Sequence, residues 1–175
     1  MENIIVLKCS LVDLKVDIIV NAANKTLLGG GGIDGVIHRK AGKGLLEECK
    51  RLNGCETGEA KMSDSYNLIC DKVIHTVGPI YNGGKYNESE LLSNCYKNSL
   101  TLADEYMKSN NLDSVNIAFP CISTGVYHYP KNEACKIAIS TVKKYIKSGM
   151  NVIFVCFDDD NYNIYIKELY GLEIM

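Results

Sequence analysis

No run of apolar residues in the 175-residue sequence approaches the roughly twenty needed to cross a membrane, so no membrane association is expected. The opening residues, MENIIVLK, lack the basic start and small-residue cleavage site of a secretory signal, and a cytoplasmic chain is expected. Neither C-x-x-C nor H-x-x-x-H spacing occurs. The eight cysteines stand singly at 9, 49, 55, 70, 95, 121, 135 and 156, mostly within apolar runs. They read as small buried hydrophobes, not as a disulfide framework or a zinc site, and no metal is expected. A surplus of one charge is also missing: the formal net charge is −2, which gives no general attraction to nucleic acid. The nearest approach to a basic cluster, Lys143, Lys144 and Lys147, falls in the last turns of a predicted helix, where lysines complement the helix dipole. There is no internal repeat, linker or low-complexity tract, so residues 1–175 are expected to form one domain. At that length a single core buries about 70% of the unfolded surface. A hydrophobic content of 46% against 23% charged residues excludes disordered and fibrous classes.

What is present is an alternation of strands and helices. Residues 3–8 (NIIVLK) and 16–20 (VDIIV) are apolar and β-branched, joined by a turn from Cys9 to Leu14. Residues 34–52 have helical spacing with a break near Ala41 to Gly44, and Leu45, Leu46, Cys49 and Leu52 form one face. Strands are predicted at 59–63 and 72–77 (KVIHTV), with a loop marked by Gly78-Pro79 and Gly83-Gly84. The longest predicted helix spans about 88–108, with Ser89 as its cap. Residues 114–119 (SVNIAF) form a strand and 120–128 a loop. Pro130 then opens a helix that runs to about Ser148 and stops at Gly149. A strand over 151–157 and a short helix from about Asn161 complete the chain. This alternation predicts an α/β fold, a three-layer α/β/α sandwich on a largely parallel sheet.

In such a sheet ligands sit at the carboxyl ends of the strands, and three of those ends carry unusual loops. The first is Asn21 to Asp34, NAANKTLLGGGGID, between the apolar Ile18-Ile19-Val20 and a helix start. Its four glycines let the backbone approach a ligand closely, and the N–H groups of the following helix can hold an anion such as a phosphate. A mobile surface turn is the alternative; the flanking Asn21, Asn24 and Asp34 weigh against it. The second loop, Cys121 to Tyr127 (CISTGVY), is small, polar and also feeds a helix start, so it offers a second set of backbone donors. The third is Phe157-Asp158-Asp159-Asp160-Asn161, which either stacks and polarises a base or simply caps the last helix. No G-K-[ST] of a P-loop occurs, nor a G-x-G-x-x-G with an acid about 20 residues on. His38, His75 and His128 show no pattern tying them to Ser123 or Cys121 as a nucleophile's base, and His75, inside an apolar strand, reads as a core histidine.

Taken together, VDIIVNAANKTLLGGGGIDGVIHRKAG, VIHTVGP, IAFPCISTGVYHYP and VCFDDDN resemble, in order and over nearly the whole chain, the macrodomain family, most closely its MacroD-type branch of ADP-ribose hydrolases. The resemblance implies a mixed six-stranded sheet between helices, with an ADP-ribose cleft at its strand ends. It implies a monomeric hydrolase of ester-linked ADP-ribose that needs no cofactor. Such an enzyme removes mono-ADP-ribose from acidic side chains of proteins and acetate from O-acetyl-ADP-ribose. A non-catalytic ADP-ribose reader and a phosphatase of ADP-ribose 1″-phosphate are the alternatives. A reader has no use for an acid beside the distal ribose, which favours the enzyme.

Carried over position by position, the resemblance makes Asn24, Asp34 and Tyr127 the catalytic group. Asn24 would hold the distal ribose hydroxyls, Asp34 would orient that ribose or activate the attacking water, and Tyr127 would close over the cleft. Asn21, Gly31, Gly32 and Ile33 would line the first loop's side of the ligand. Ser123, Thr124, Gly125 and Val126, with Tyr127, would wrap the diphosphate. Phe157 would stack on adenine, with Asn161 closing that end beside Ser10 and Leu11. The chain departs from the family at one place: Cys9-Ser10-Leu11-Val12 stands where relatives carry Gly-Asp-Ile-Thr, whose Asp accepts from the adenine amino group.

Overall fold

The β-branched runs form one sheet in the computed structural model, which describes residues 3–172. Its strands are β1 (Asn3–Lys8), β2 (Ile18–Ala23), β3 (Ala60–Asp64), β4 (Lys72–Val77), β5 (Val115–Phe119) and β6 (Met150–Cys156). The helices are α1 (Gly32–Ala41), α2 (Lys43–Leu52), α3 (Glu88–Ser109), α4 (Lys131–Tyr145) and α5 (Asp159–Tyr170). In space the strands run β1-β6-β5-β2-β4-β3, all parallel except the edge strand β3, which pairs antiparallel with β4. This is the mixed, largely parallel three-layer architecture expected from the sequence.

The pleat explains how one strand serves two cores. Ile18 and Val20 of β2 point to the layer built by α3, α4 and α5, among Leu92, Tyr96, Ala138 and Tyr165. Ile19 and Ala23 point the other way, to Ile37, Leu45 and Cys49 of α1 and α2. Because both faces are covered, the strands are apolar almost without interruption. On the first face Tyr96 packs 5.0 Å from Phe119, and Phe154 packs 5.1 Å from Tyr165. Such aromatic pairs contribute roughly 0.5–1.5 kcal/mol each beyond area burial. Six of the eight cysteines are buried, Cys9 and Cys121 are half-buried, and all are free thiols.

Several boundaries differ from the sequence expectation. β2 continues through Asn21 to Ala23, so the first loop begins three residues later than read. Ser89 does not cap α3: Asn87 does, in a left-handed conformation, and the buried Glu88 carboxylate accepts N–H bonds from Asn82 and Gly84 at 2.8 Å and from Tyr86. The acid thereby ties the glycine loop 82–86 to the helix start. α4 ends at Tyr145, ahead of the expected Ser148, because Ile146 turns extended and packs on the core, which leaves Lys147 off the helix. Residues 11–13, read as turn, make a 3-10 turn with Leu11 and Val12 buried.

The chain leaves β2 toward β4 and β3 through α1 and α2, and leaves β5 toward β6 through α4 on the opposite face. β2 and β5 are neighbours, joined at Ile18–Ile117 and Ile19–Ala118, where their ladder ends. This is a topological switch point, the place where an open α/β sheet holds a ligand.

Candidate ligand cleft

A cleft of about 760 Å³ lies over the switch point. Because five strands are parallel, their carboxyl ends share one edge, and the sheet order sets the order of loops along the cleft. Ser10 and Leu11, after β1, and Phe157, Asp158 and Asn161, after β6, form one end. The β5 loop, Cys121 to Tyr127, forms the middle. Asn24, Gly30 to Asp34 and Gly78, after β2 and β4, form the other end.

At the first end Asp158 caps α5: its carboxylate accepts from the Asn161 N–H at 2.7 Å and from the Asn161 side-chain amide at 3.1 Å. The capping expectation therefore holds for Asp158, while Asp159 and Asp160 fall within the first turn of α5. Phe157, one residue before the cap, is 88% exposed and presents its ring at the cleft mouth. An aromatic ring so placed gains by covering a planar apolar ligand group.

The middle is a backbone surface. Ser123 takes a positive φ of 68°, which turns the loop, and the Tyr129 N–H closes it on the Ser123 carbonyl at 2.9 Å. The N–H groups of Gly125, Val126 and Tyr127 make no bond within the described residues. Tyr127 is half-buried, and its carbonyl accepts from the Tyr81 N–H at 2.8 Å. Thr124 returns its hydroxyl to the Cys121 carbonyl at 2.9 Å.

Across from this loop, α1 begins at Gly32 with Gly31 as N-cap and no side chain to satisfy its first donors. The first intrahelical bond is from Gly35 N–H to the Gly31 carbonyl, so the N–H groups of Gly32, Ile33 and Asp34 precede it. Donors of this kind, at the positive end of a helix dipole, suit an anion. Two facing sets of backbone donors suit a diphosphate.

At the far end Asn24 braces the loop. Its Oδ1 accepts from the Thr26 N–H at 3.1 Å and the Thr26 hydroxyl at 2.6 Å, and its Nδ2 donates to the Gly29 carbonyl at 3.0 Å. A second Nδ2 proton remains for a ligand. Asp34 is 4% exposed, yet it lines the cleft. A Cβ built at Gly30 would fall 3.1 Å from Asp34 Oδ2 and 3.3 Å from Asn24 Nδ2, so both atoms converge on the backbone of that glycine. Burial pushes the Asp34 carboxyl above the usual carboxylate range, opposed by a 2.8 Å hydrogen bond from Asn21 Nδ2 and by the charge of His38. A buried carboxylate with a raised pKa at the edge of a cleft has the character of a general base.

Of the residues expected to contact the ligand, all but Asn21 line this cleft. Asn21, expected among the ligand contacts, is fully buried on β2 behind Asp34. Its position in a strand, and not in the loop, turns its side chain beneath the cleft floor. His75 is the buried core histidine expected, bonded to Asn21 and Ser63. Two neighbours are not assigned to the site from the sequence: His38 is weighed there only as a nucleophile's base, and Arg39 is not singled out. His38 stands one helical turn beyond Asp34, a spacing that could have flagged it, and Arg39 is the cation at the cleft wall. Four buried polar atoms lack a protein partner among the described residues: Asn21 Oδ1, His38 Nε2, Ser123 Oγ and Asn161 Oδ1. Ser123 and Asn161 line the cleft, and Asn21 and His38 adjoin Asp34.

Comparison with known proteins agrees with this geometry. A family model described as Macro domain matches residues 20–138. The chain is 50% identical over 173 residues to a Macro domain-containing protein of Chlorobaculum tepidum, covering 96% of this chain and 97% of that one. It is 47% identical over 173 residues to the ADP-ribose glycohydrolase MACROD2 of Xenopus laevis, covering 96% of this chain but 40% of that longer protein. Among solved structures, the Oceanobacillus iheyensis macrodomain with ADP superposes with a TM-score of 0.85 at 38% identity, over 95% of this chain and 89% of that chain. The Trypanosoma brucei macrodomain in complex with ADP-ribose gives 0.84 at 40% identity, over 95% and 69%.

Proposed function

The chain belongs to the Macro domain family, and from that premise we propose that it hydrolyses ester-linked ADP-ribose, releasing mono-ADP-ribose from acidic side chains of proteins and acetate from O-acetyl-ADP-ribose. One observation carries the enzymatic reading over a pure reader: a buried carboxylate, Asp34, whose Oδ2 shares the edge of the cleft with Asn24 Nδ2. Reading needs only the backbone donors and the stacking ring. An ionisable acid kept out of water is costly to the fold, and a binding module gains nothing from it.

In this reading the ligand runs along the cleft in the order of its loops. Adenine lies on Phe157 between Ser10 and Asn161, and the diphosphate lies between the amides of 125–127 and the start of α1. The distal ribose then reaches Asn24 and Asp34. There Asn24 holds the ribose hydroxyls and Asp34 accepts a proton from the water that attacks the ester. The bond between ribose oxygen and acyl group is replaced by the elements of water, giving ADP-ribose and the free carboxylic acid. Tyr127 covers the reacting end. The two macrodomain structures with ADP and ADP-ribose, and the relatives named as glycohydrolases, support the ligand class.

The test is incubation of the protein with O-acetyl-ADP-ribose and with a glutamate-ADP-ribosylated protein, following free ADP-ribose and acetate. Release from either ester is expected. Tight ADP-ribose binding without release from either substrate would make the protein a reader. Phosphate release from ADP-ribose 1″-phosphate alone would make it a phosphatase.

A further inference from the structure

Beneath the cleft floor a chain of buried hydrogen bonds runs from β3 to Asp34. The register of the sheet assembles it. Asn21 and His75 are direct partners across β2 and β4, so their side chains share a face, and Ser63 of β3 lies diagonally across from His75 on that same face. Asn21 and His75 are fully buried, and Ser63 is 2% exposed. The Ser63 hydroxyl lies 2.8 Å from His75 Nε2, His75 Nδ1 lies 3.1 Å from Asn21 Nδ2, and that same Nδ2 lies 2.8 Å from Asp34 Oδ1.

The direction of every proton in this chain follows. Asn21 Nδ2 donates to Asp34 Oδ1 and so turns an amine toward His75 Nδ1, while the Ser63 hydroxyl, whose one proton can go to the Asp64 carbonyl at 3.0 Å, is free to accept from His75 Nε2. His75 must then carry its proton on Nε2, which leaves Nδ1 as an acceptor. Asn21 thus spends its two N–H bonds on His75 Nδ1 and Asp34 Oδ1. The opposite tautomer would set an N–H against the Asn21 amine. A flipped amide would relieve that clash only by placing an oxygen 2.8 Å from the Asp34 carboxylate, which is tolerable only if Asp34 is protonated. Burial, aided by the charge of His38, lowers the His75 pKa to about 3, so the ring stays neutral at working pH.

We propose that Ser63 and His75 are positioning residues for the reaction, which through Asn21 hold the Asp34 carboxylate ionised with its free oxygen turned to the cleft. This rests on the hydrolase function proposed above, in which Asp34 takes the proton from water. The other titratable groups packed around this chain are His38 on α1, with Nε2 3.5 Å from Asp34 Oδ1, and Cys49 on α2, with its sulfur 3.9 Å from His75 Nε2. Arg39 lies beside Gly35 at the cleft wall. None of these can replace the Asn21 donor at Asp34, since His38 does not meet hydrogen-bond geometry there.

The experiment has two readouts on the full chain. Nitrogen-15 spectra of the histidines should show His75 as the neutral tautomer protonated on Nε2; a proton on Nδ1 would overturn the relay. Carbon-13 titration of the Asp34 carboxyl, together with kcat, KM and ADP-ribose Kd, is then compared for the native chain, Ser63→Ala, Ser63→Thr and Asn21→Leu. Ser63→Ala should raise the Asp34 midpoint and move the acid limb of kcat to higher pH. It should also lower kcat at neutral pH by about tenfold with Kd changed less than about twofold. Asn21→Leu should do more, and Ser63→Thr, which keeps the hydroxyl, should restore native behaviour. If turnover is normal and neither the Asp34 titration nor kcat moves in Ser63→Ala, the relay is wrong and the hydrolase function stands. If the native chain releases nothing from either ester while Ser63→Ala still shifts the Asp34 titration, the relay stands and the hydrolase function falls.

Discussion

Asp34 and His38 stand one turn apart on α1, with His38 Nε2 3.5 Å from Asp34 Oδ1, on the side of the carboxylate that faces away from Gly30. The acid thus has one oxygen engaged by protein groups and one at the cleft. That division of labour underlies the first two predictions.

Asp34→Ala should lose turnover while keeping ADP-ribose binding. Binding rests on the backbone donors of the two loops and on Phe157, all of which the substitution leaves in place. Loss of a positioned general base costs on the order of 10² to 10⁴ in rate. Single-turnover kinetics beside calorimetry of ADP-ribose checks both halves. Near-native turnover would assign water activation to the substrate and leave Asp34 as a structural acid.

The same acid should cost the fold stability. Burial raises its folded-state pKa above the unfolded value, so between those two values the native state holds more protons than the unfolded one. Stability therefore declines as pH rises through that window, and above it the ionised form is the less stable one. Asp34→Asn keeps the shape, can turn its oxygen to the Asn21 amine, and has no charge to bury. Calorimetric melting at neutral pH should show Asp34→Asn more stable than the native chain, with the advantage vanishing below the ordinary aspartate range. A lower melting temperature for Asp34→Asn at neutral pH would contradict the burial argument.

Gly125→Glu should abolish ADP-ribose binding without unfolding the protein. A Cβ at this position meets nothing within 4 Å, so the free fold accommodates a side chain and the change in stability should stay within about 0.5 kcal/mol. The added carboxylate would occupy the space in front of the loop donors and repel a diphosphate. Unchanged affinity by titration calorimetry would remove this loop from the site.

At the adenine end, Ser10→Asp should tighten ADP-ribose binding and sharpen discrimination against its hypoxanthine analogue. Ser10 lines the cleft there, and its hydroxyl offers a neutral bond of about 1 kcal/mol, against roughly 1.5–3 kcal/mol for a carboxylate accepting from the adenine amino group. The gain in affinity is up to about tenfold. Titrations of both ligands that ignore the substitution would place adenine away from residue 10.

The sequence by itself determined what depends on neighbours in the chain. Period-2 and period-3.6 patterns located the strands and helices to within a few residues, and two glycine and small-residue loops with a third of an aromatic and acids, each at a strand end, marked the cleft. The capping acid before α5 was legible because a cap is a contact across three residues, here Asp158 and Asn161. Tertiary structure decided the rest. Asn21 looked like part of a ligand loop until the β2–β4 register turned it under Asp34, and its link to His75 spans 54 positions. Ser63 carried no signal at all, since its place beside His75 comes from antiparallel pairing of an edge strand. The end of α4 followed from the packing of Ile146, and the start of α3 from a carboxylate that folds the preceding loop back on itself. Local periodicity records which side of its own element a residue occupies. Only the packing of elements decides which other residue it meets, and in this protein that choice sets the surroundings of Asp34, the buried acid at the cleft.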